Sequence, residues 1–206
     1  MIELLNVDCM EYMKDVGGKY FDLAICDPPY GIGRDGKPKS TSSHGGHKGY
    51  EFKGWDSDKP TGAYFDELFR VSKNQIIWGA NYYPEYLSSS PGWILWDKGQ
   101  RIDQADGELA YSSFNKPLRV FTLNRVAIQV DGAIHPTQKP IKLYKWLLKN
   151  YAKEGDKILD THGGSRSLAI ACHDMGFDHV SCEIDLDYHN DSVKRYNNAI
   201  LQQKLF

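Results

Sequence analysis

The stretch from Lys157 to Glu183 constrains this chain more than any other, because three short elements follow one another there without room for an alternative. Lys157 to Leu159 reads as a strand that stops at Asp160. Ser167 to Met175 reads as a helix closed by Gly176 in the C′ position, and Val180 to Cys182 as a second strand that stops at Glu183. Strand, helix and strand at this spacing make a βαβ unit, and such units build parallel sheets with helices laid over them.

The remainder of the chain follows the same alternation. Ile2 to Leu5 is a short apolar strand, Cys9 to Asp15 a helical turn, and Asp22 to Cys26 (DLAIC) a buried strand that stops at Asp27-Pro28-Pro29-Tyr30. Gly31 to Gly62, rich in Gly, Ser, Lys and Pro, has no sustained period and reads as a long, mobile surface loop, a kind that is commonly either functional or disordered. Tyr64 to Val71 has helical spacing, and Gln75 to Trp78 and Trp93 to Trp96 read as strands, again as strand-helix-strand units. Leu109 to Ser113, Leu118 to Leu123 and Val126 to Val130, separated by Asn115-Lys116-Pro117 and Asn124-Arg125, predict a strand and hairpin region. After His135 a helix has Pro140 near its start, with Leu143, Trp146, Leu147 and Tyr151 on one face and Lys142, Lys145, Lys149 and Lys153 on the other. A last helix runs from about Tyr188 to Lys204. The expected class is α/β, Rossmann-like, with a mostly parallel central sheet and helices on both faces, in a single domain of 206 residues.

Charge and cysteine content limit the function. Lys and Arg number 25 against 27 Asp and Glu, a formal net charge of −2, so a polyanion would have to meet a local basic patch. Cys9, Cys26, Cys172 and Cys182 form no CxxC pair, which points to reduced thiols rather than a zinc ribbon or a disulfide framework. The opening MIELLNVDCMEYMKD carries acids and no long apolar run, so neither a secretory signal nor a membrane span is expected, and a cytoplasmic location is. His44 and His47 in HGGH lack further ligands at a useful spacing, and no metal is expected.

Two turns at strand ends carry the chemistry. Asp160-Thr161-His162-Gly163-Gly164-Ser165 is a glycine-containing turn, and Glu183 follows Asp160 by 23 positions, close to the offset at which a carboxylate takes ribose hydroxyls. The turn is not GxGxxG and Arg166 follows it, so a nucleoside without a pyrophosphate fits better than a dinucleotide. Asp27-Pro28-Pro29-Tyr30 is stiff, and its carbonyls are free to accept hydrogen bonds. A carboxylate beside such a carbonyl offers two acceptors to the two hydrogens of an amino group, and Tyr30 offers a ring for stacking a base.

With these motifs the sequence resembles the amino-group nucleic-acid methyltransferases that use S-adenosylmethionine, over most of its length. DPPY (27–30) is similar to that family's catalytic signature. His135-Pro136-Thr137-Gln138-Lys139-Pro140 resembles the segment beside the methionine end of the cofactor, Asp160 to Ser165 the cofactor loop, Glu183 with Ile184 the ribose-binding acid, and Asp8 with Cys9 the acidic position near the adenine ring. The order of motifs is similar to that of the family's permuted beta group, whose members often dimerise. The resemblance implies a Rossmann-like methyltransferase fold, S-adenosylmethionine as cofactor, duplex DNA with a flipped-out base as substrate, a homodimer, and a cognate restriction nuclease or a phage setting.

One position departs from the family, whose loop commonly reads Asp-Pro-Phe-x-Gly-Ser-Gly: Arg166 stands at the last glycine. Either Gly163 lends flexibility earlier in the turn and Arg166 turns outward, or cofactor affinity is weakened. The joint presence of DPPY, HPTQKP and Glu183 favours an intact site that includes Arg166. The loop's Arg34, Lys37, Lys39, Lys48 and Lys53 against Asp35 and Glu51 give a local charge of +3, with Tyr50, Phe52 and Trp55 nearby, a mixture suited to phosphate contact and stacking. Target recognition is left to residues 97–132, a reduced region. DPPY with Asp resembles adenine-N6 enzymes more than cytosine-N4 ones. Cytosine-N4 or RNA-base methylation, and an inactive nucleic-acid-binding relative, are the alternatives.

Overall fold

The computed structural model describes residues 1–36, 49, 52–99, 105–124 and 133–203. Lys37, Lys39, Lys48, Tyr50, the histidines 44 and 47, the strand expected at Val126 to Val130 and Lys204 lie outside the described residues. Among the described residues eight strands form one sheet in the order β1-β8-β7-β2-β3-β5-β4-β6. They are β1 (Ile2–Asn6), β2 (Phe21–Cys26), β3 (Ser72–Trp78), β4 (Ile94–Asp97), β5 (Gly107–Ser112), β6 (Arg119–Thr122), β7 (Lys157–Asp160) and β8 (Asp178–Glu183). The helices are α1 (Cys9–Lys14), α2 (Gly62–Val71), α3 (Ile141–Tyr151), α4 (Ser167–Met175) and α5 (Leu186–Gln203).

The two-residue period of a strand explains how both faces are covered. Leu23 and Ile25 of β2, with Ile76, Trp78 and Ile158, face Leu143 and Leu147 of α3 and Leu168 and Cys172 of α4. Ala24 and Cys26, with Ile77 and Leu159, face Cys9 and Met13 of α1 and Tyr64, Phe65 and Leu68 of α2. A strand buried on both sides needs apolar residues at every buried position, which is what Leu23 to Cys26 supply. All four cysteines are buried free thiols. Among the described residues no helix is long and apolar enough to cross a membrane.

The sheet departs from expectation beyond β3. No α-helix links β3 to β4; two short 3-10 turns, Ala80–Tyr82 and Pro84–Tyr86, make the connection. Strand β5 then inserts antiparallel between β3 and β4. Nor do 109–113 and 118–123 pair as a hairpin, since β5 and β6 flank β4 on opposite sides, β6 parallel to it. The backbone accounts for this: Ser113 N donates to Gln75 O at 2.9 Å, extending the pairing of β5 with β3, and Arg119 N donates to Trp93 O at 2.9 Å, starting β6 beside β4.

This topology fixes where a ligand can sit. From β2 the sheet grows one way through β3 and the other way through β7, β8 and β1. Strand order therefore reverses between β2 and β7, and a crevice opens at their carboxyl ends, as in other doubly wound sheets. Asp27 follows the end of β2 and Asp160 ends β7, so both chemical turns meet at that crevice.

Candidate active site

Asp27 is held from two sides. The Tyr30 hydroxyl donates to its Oδ1 at 2.7 Å, and the Lys139 ammonium is ion-paired with its Oδ2. Burial and the neighbouring Asp27 keep the Tyr30 phenol far above its ordinary range, so it remains a donor. The turn that carries them is braced by Asp56, whose Oδ1 accepts from Tyr30 N at 2.7 Å and Gly31 N at 2.9 Å and whose Oδ2 accepts from Arg34 N at 2.7 Å. The Tyr30 ring stacks on Tyr82, with centroids 5.0 Å apart and planes at 17°. It also packs against Gly79, where a Cβ would overlap the ring and where the backbone is left-handed, φ 67°.

Lys139, itself buried, belongs to a chain of alternating charges whose other members are half-buried. Its Nζ lies 3.0 Å from Glu108 Oε2, and Glu108 Oε1 lies 2.8 Å from Lys98 Nζ. Burial alone would draw the ammonium down, but Asp27 and Glu108 reverse this and hold Lys139 above its ordinary value. Burial pushes the Asp27 carboxyl up against the pull of Lys139. Lys139, from HPTQKP, thus acts on the DPPY turn. Glu108, on β5, has no signal in the sequence, since nothing local distinguishes it from a solvated acid.

The second turn is stitched to β8. Gly163 N donates to Cys182 O at 2.7 Å and Gly164 N to Glu183 Oε2 at 2.7 Å, while Asp185 N donates to Glu183 Oε1 at 2.9 Å. Burial raises the Glu183 carboxyl and pushes Asp160 up to about 7. Asp160 Oδ1 accepts from His162 N at 3.0 Å, and Thr161 Oγ1 lies 2.7 Å from the Tyr64 hydroxyl. Arg166 does not turn outward. It is fully buried with φ 59°, donates to Leu5 O at 3.0 Å and to Ser181 Oγ, and does not line the crevice. The extended route outward is unavailable because its backbone turns left-handed into α4 and aims the side chain under the loop.

A cavity of about 200 Å³ joins the two turns. Asp27, Pro29, His135, Thr137, Gln138, Lys139, His162, Gly163, Gly164, Ser165, Glu183 and Ile184 line it, together with Trp55, Tyr144, Asp185 and Tyr188. The His135 ring stands between Trp55, 5.3 Å away, and Tyr188, 4.4 Å away, and burial lowers its pKa to about 3, so the wall is aromatic and uncharged there. Pro28, Tyr30, Pro136, Asp160 and Thr161 are not among the residues that line it. Asp8 caps α1, accepting from Met10 N at 2.8 Å, and its charge acts on His162; Cys9 is buried in the core with its thiol pushed up to about 12. Among the described residues no cluster of three or more His, Cys, Asp or Glu is placed to hold a metal.

Lys53 corrects the sequence reading. Its ammonium lies 2.8 Å from both Asp185 and Asp187 and 4.7 Å from the centre of the Tyr188 ring, so it is neutralised beside the cavity rather than offered to phosphate. Arg34 is exposed. Trp55, expected to serve the nucleic acid, lines the cavity instead; Tyr188, one turn beyond the acidic strand end, gave no signal of its own.

Residues 94–194 match the model of a family described as DNA methylase. The chain is 25% identical to the Type II methyltransferase M.HpaI of Haemophilus parainfluenzae over 95% of its own length and 74% of that protein. It is 21% identical to the Type II methyltransferase M2.MboI of Moraxella bovis, over 92% of the chain and 85% of that protein. In fold it is similar to the M1.HpyAVI–SAM complex, with a TM-score of 0.61 at 20% identity, covering 96% of this chain and 100% of that one. It is also similar to PvuII DNA methyltransferase (cytosine-N4-specific), with a TM-score of 0.59 at 10% identity over 97% of this chain and 92% of that one.

Proposed function

We propose, from the premise that this chain is a relative of the DNA methylase family, that it methylates the exocyclic amino group of a base in DNA and that the base is adenine, modified at N6. The observation that carries this reading is the single cavity that brings the DPPY turn, through Asp27 and Pro29, together with the Gly163-Gly164-Ser165 loop and Glu183. The donor set fits S-adenosylmethionine. Glu183 accepts two backbone N–H groups yet keeps acceptor capacity for ribose hydroxyls, and Asp27 lines the same cavity, where its carboxylate would favour a cationic cofactor. When bound, the cofactor supplies an electrophilic methyl group.

The chain's own residues do the rest. Asp27 and the Pro28 carbonyl accept the two amine hydrogens, which orients the nitrogen lone pair and favours a pyramidal, more nucleophilic nitrogen. The Asp27 charge opposes the positive charge that builds on that nitrogen. Its raised pKa suits it to take the proton that the amine must then lose. Tyr30 keeps Asp27 in place through its hydroxyl and offers its ring to the base on the face that Tyr82, 37% exposed on a short turn, vacates. A base in a duplex reaches this depth only when flipped out. Arg34, at the foot of the long loop, contacts phosphate.

The test is transfer of labelled methyl from S-adenosylmethionine to mixed-sequence duplex DNA, followed by nucleoside mass spectrometry. N6-methyladenine, lost in Asp27→Ala, is the expected result. N4-methylcytosine would reassign the base, and wild-type turnover by Asp27→Ala would refute the mechanism.

A further inference from the structure

Arg166 is a charged side chain with no solvent exposure, in a left-handed backbone conformation, at the foot of the loop assigned above to the cofactor. Its guanidinium runs beneath that loop and ties three elements together, donating to Leu5 O of β1 at 3.0 Å and to Ser181 Oγ of β8 and lying 3.3 Å from His189 Nδ1 of α5. The loop backbone rests directly upon it. A Cβ built on Gly163 would overlap Arg166 Nη1 and stand 2.5 Å from its Cζ and 2.6 Å from Ser181 Oγ, distances at which no side chain is tolerated. The overlap is with a guanidinium fixed by partners on two strands, so it cannot move aside as a free side chain would. Gly163 N meanwhile donates to Cys182 O, which places the loop one residue from Glu183.

We infer that Arg166 is a positioning residue for the cofactor loop, interlocked with Gly163: the arginine fills the floor of the loop, and glycine is the residue that this floor leaves room for. The inference rests on the reading of the cavity as an S-adenosylmethionine site. Arg166 touches no ligand in this scheme. It sets the height of the Gly163-Gly164 backbone, from which Gly164 N reaches Glu183, and it supplies the buried positive charge near Asp160 and Glu183. The charge has a consequence that shape alone lacks, because Glu183 must be ionised to accept from ribose hydroxyls with full strength.

Calorimetric titration with S-adenosylhomocysteine, beside thermal melts of the ligand-free chain, tests this. Gly163→Ala should weaken binding at least tenfold and lower the melting temperature, and adding Arg166→Gly should recover at least fivefold in affinity and part of the melting temperature. Losses that simply multiply would overturn the interlock. Arg166→Gln, which keeps a polar amide but no charge, should lose affinity progressively as pH falls from 8 to 6 while the wild type changes little. Equal weakening at every pH would overturn positioning through charge, and Arg166→Lys should restore the flat profile. Failure of the wild type to bind S-adenosylhomocysteine would overturn the cofactor reading, and the positioning role with it, whereas the interlock is read independently from the ligand-free melts.

Discussion

Replacing Lys139 by Met removes a charge whose side chain is 2% exposed and which serves two carboxylates, Asp27 and Glu108. Met keeps most of the volume, so the main loss is electrostatic. Breaking a buried ion pair from one side costs about 3–5 kcal/mol, because the abandoned partner remains buried and uncompensated. In a chain of this size each kcal/mol moves the melting temperature by about 2–4 °C, which gives a fall of roughly 6–20 °C. The pH dependence has a definite sign. Burial already raises the Asp27 carboxyl, and loss of Lys139 raises it further, so the native variant holds a proton that the unfolded chain has released. Between the ordinary carboxylate range and that raised value, stability falls as pH rises, so Lys139→Met should regain part of its loss as pH drops from 8 to 5. Calorimetric melts across pH settle the matter: a variant within 1 °C of wild type, or one that loses stability faster in acid than wild type, would refute the charge chain as the reason for Lys139.

Two further outcomes follow from the geometry. Asp160, pushed up to about 7 by burial, binds a proton in the native state that the unfolded chain loses near 4, so its contribution falls as pH rises through that window. Asp160→Asn, which keeps an acceptor for His162 N, should therefore gain relative to wild type on the order of 3–4 kcal/mol between pH 4 and pH 8, read from urea unfolding; a gap independent of pH would sink the assignment. Lys53, already paired with Asp185 and Asp187, should leave the salt dependence of DNA binding unchanged when replaced by Met, while Arg34→Ala should reduce the slope of log K against log salt by about 0.9. A reduced slope for Lys53→Met would return that lysine to the phosphate-binding set.

The elements legible in the sequence are those whose pattern is local. DLAIC announces a strand buried on both faces, Gly176 a helix end, and Pro140 a helix start, and each lies where its chemistry predicts. The two turns at strand ends were legible for the same reason, since stiffness at Pro28-Pro29 and openness at Gly163-Gly164 are properties of the residues themselves. What was not legible depends on partners distant in sequence. The insertion of β5 between β3 and β4 follows from long-range pairing, the placement of Glu108 beside Lys139 from that insertion, and the capture of Lys53 from acids more than a hundred residues away. A lysine in a basic loop and a lysine spent in an ion pair look alike until the fold brings the acids near.

The seat of Arg166 beneath Gly163 also constrains the history of this chain. An ancestor with any side chain at 163 had no space for the guanidinium where it now lies, so glycine at 163 had to be in place before arginine could settle. Once arginine had formed its bonds to Ser181 and Leu5, reversion at 163 was closed to single steps. Substitutions at the two sites are therefore ordered, a ratchet set by one steric overlap: Arg166 can be lost alone, whereas a side chain at 163 can enter only after Arg166 has gone.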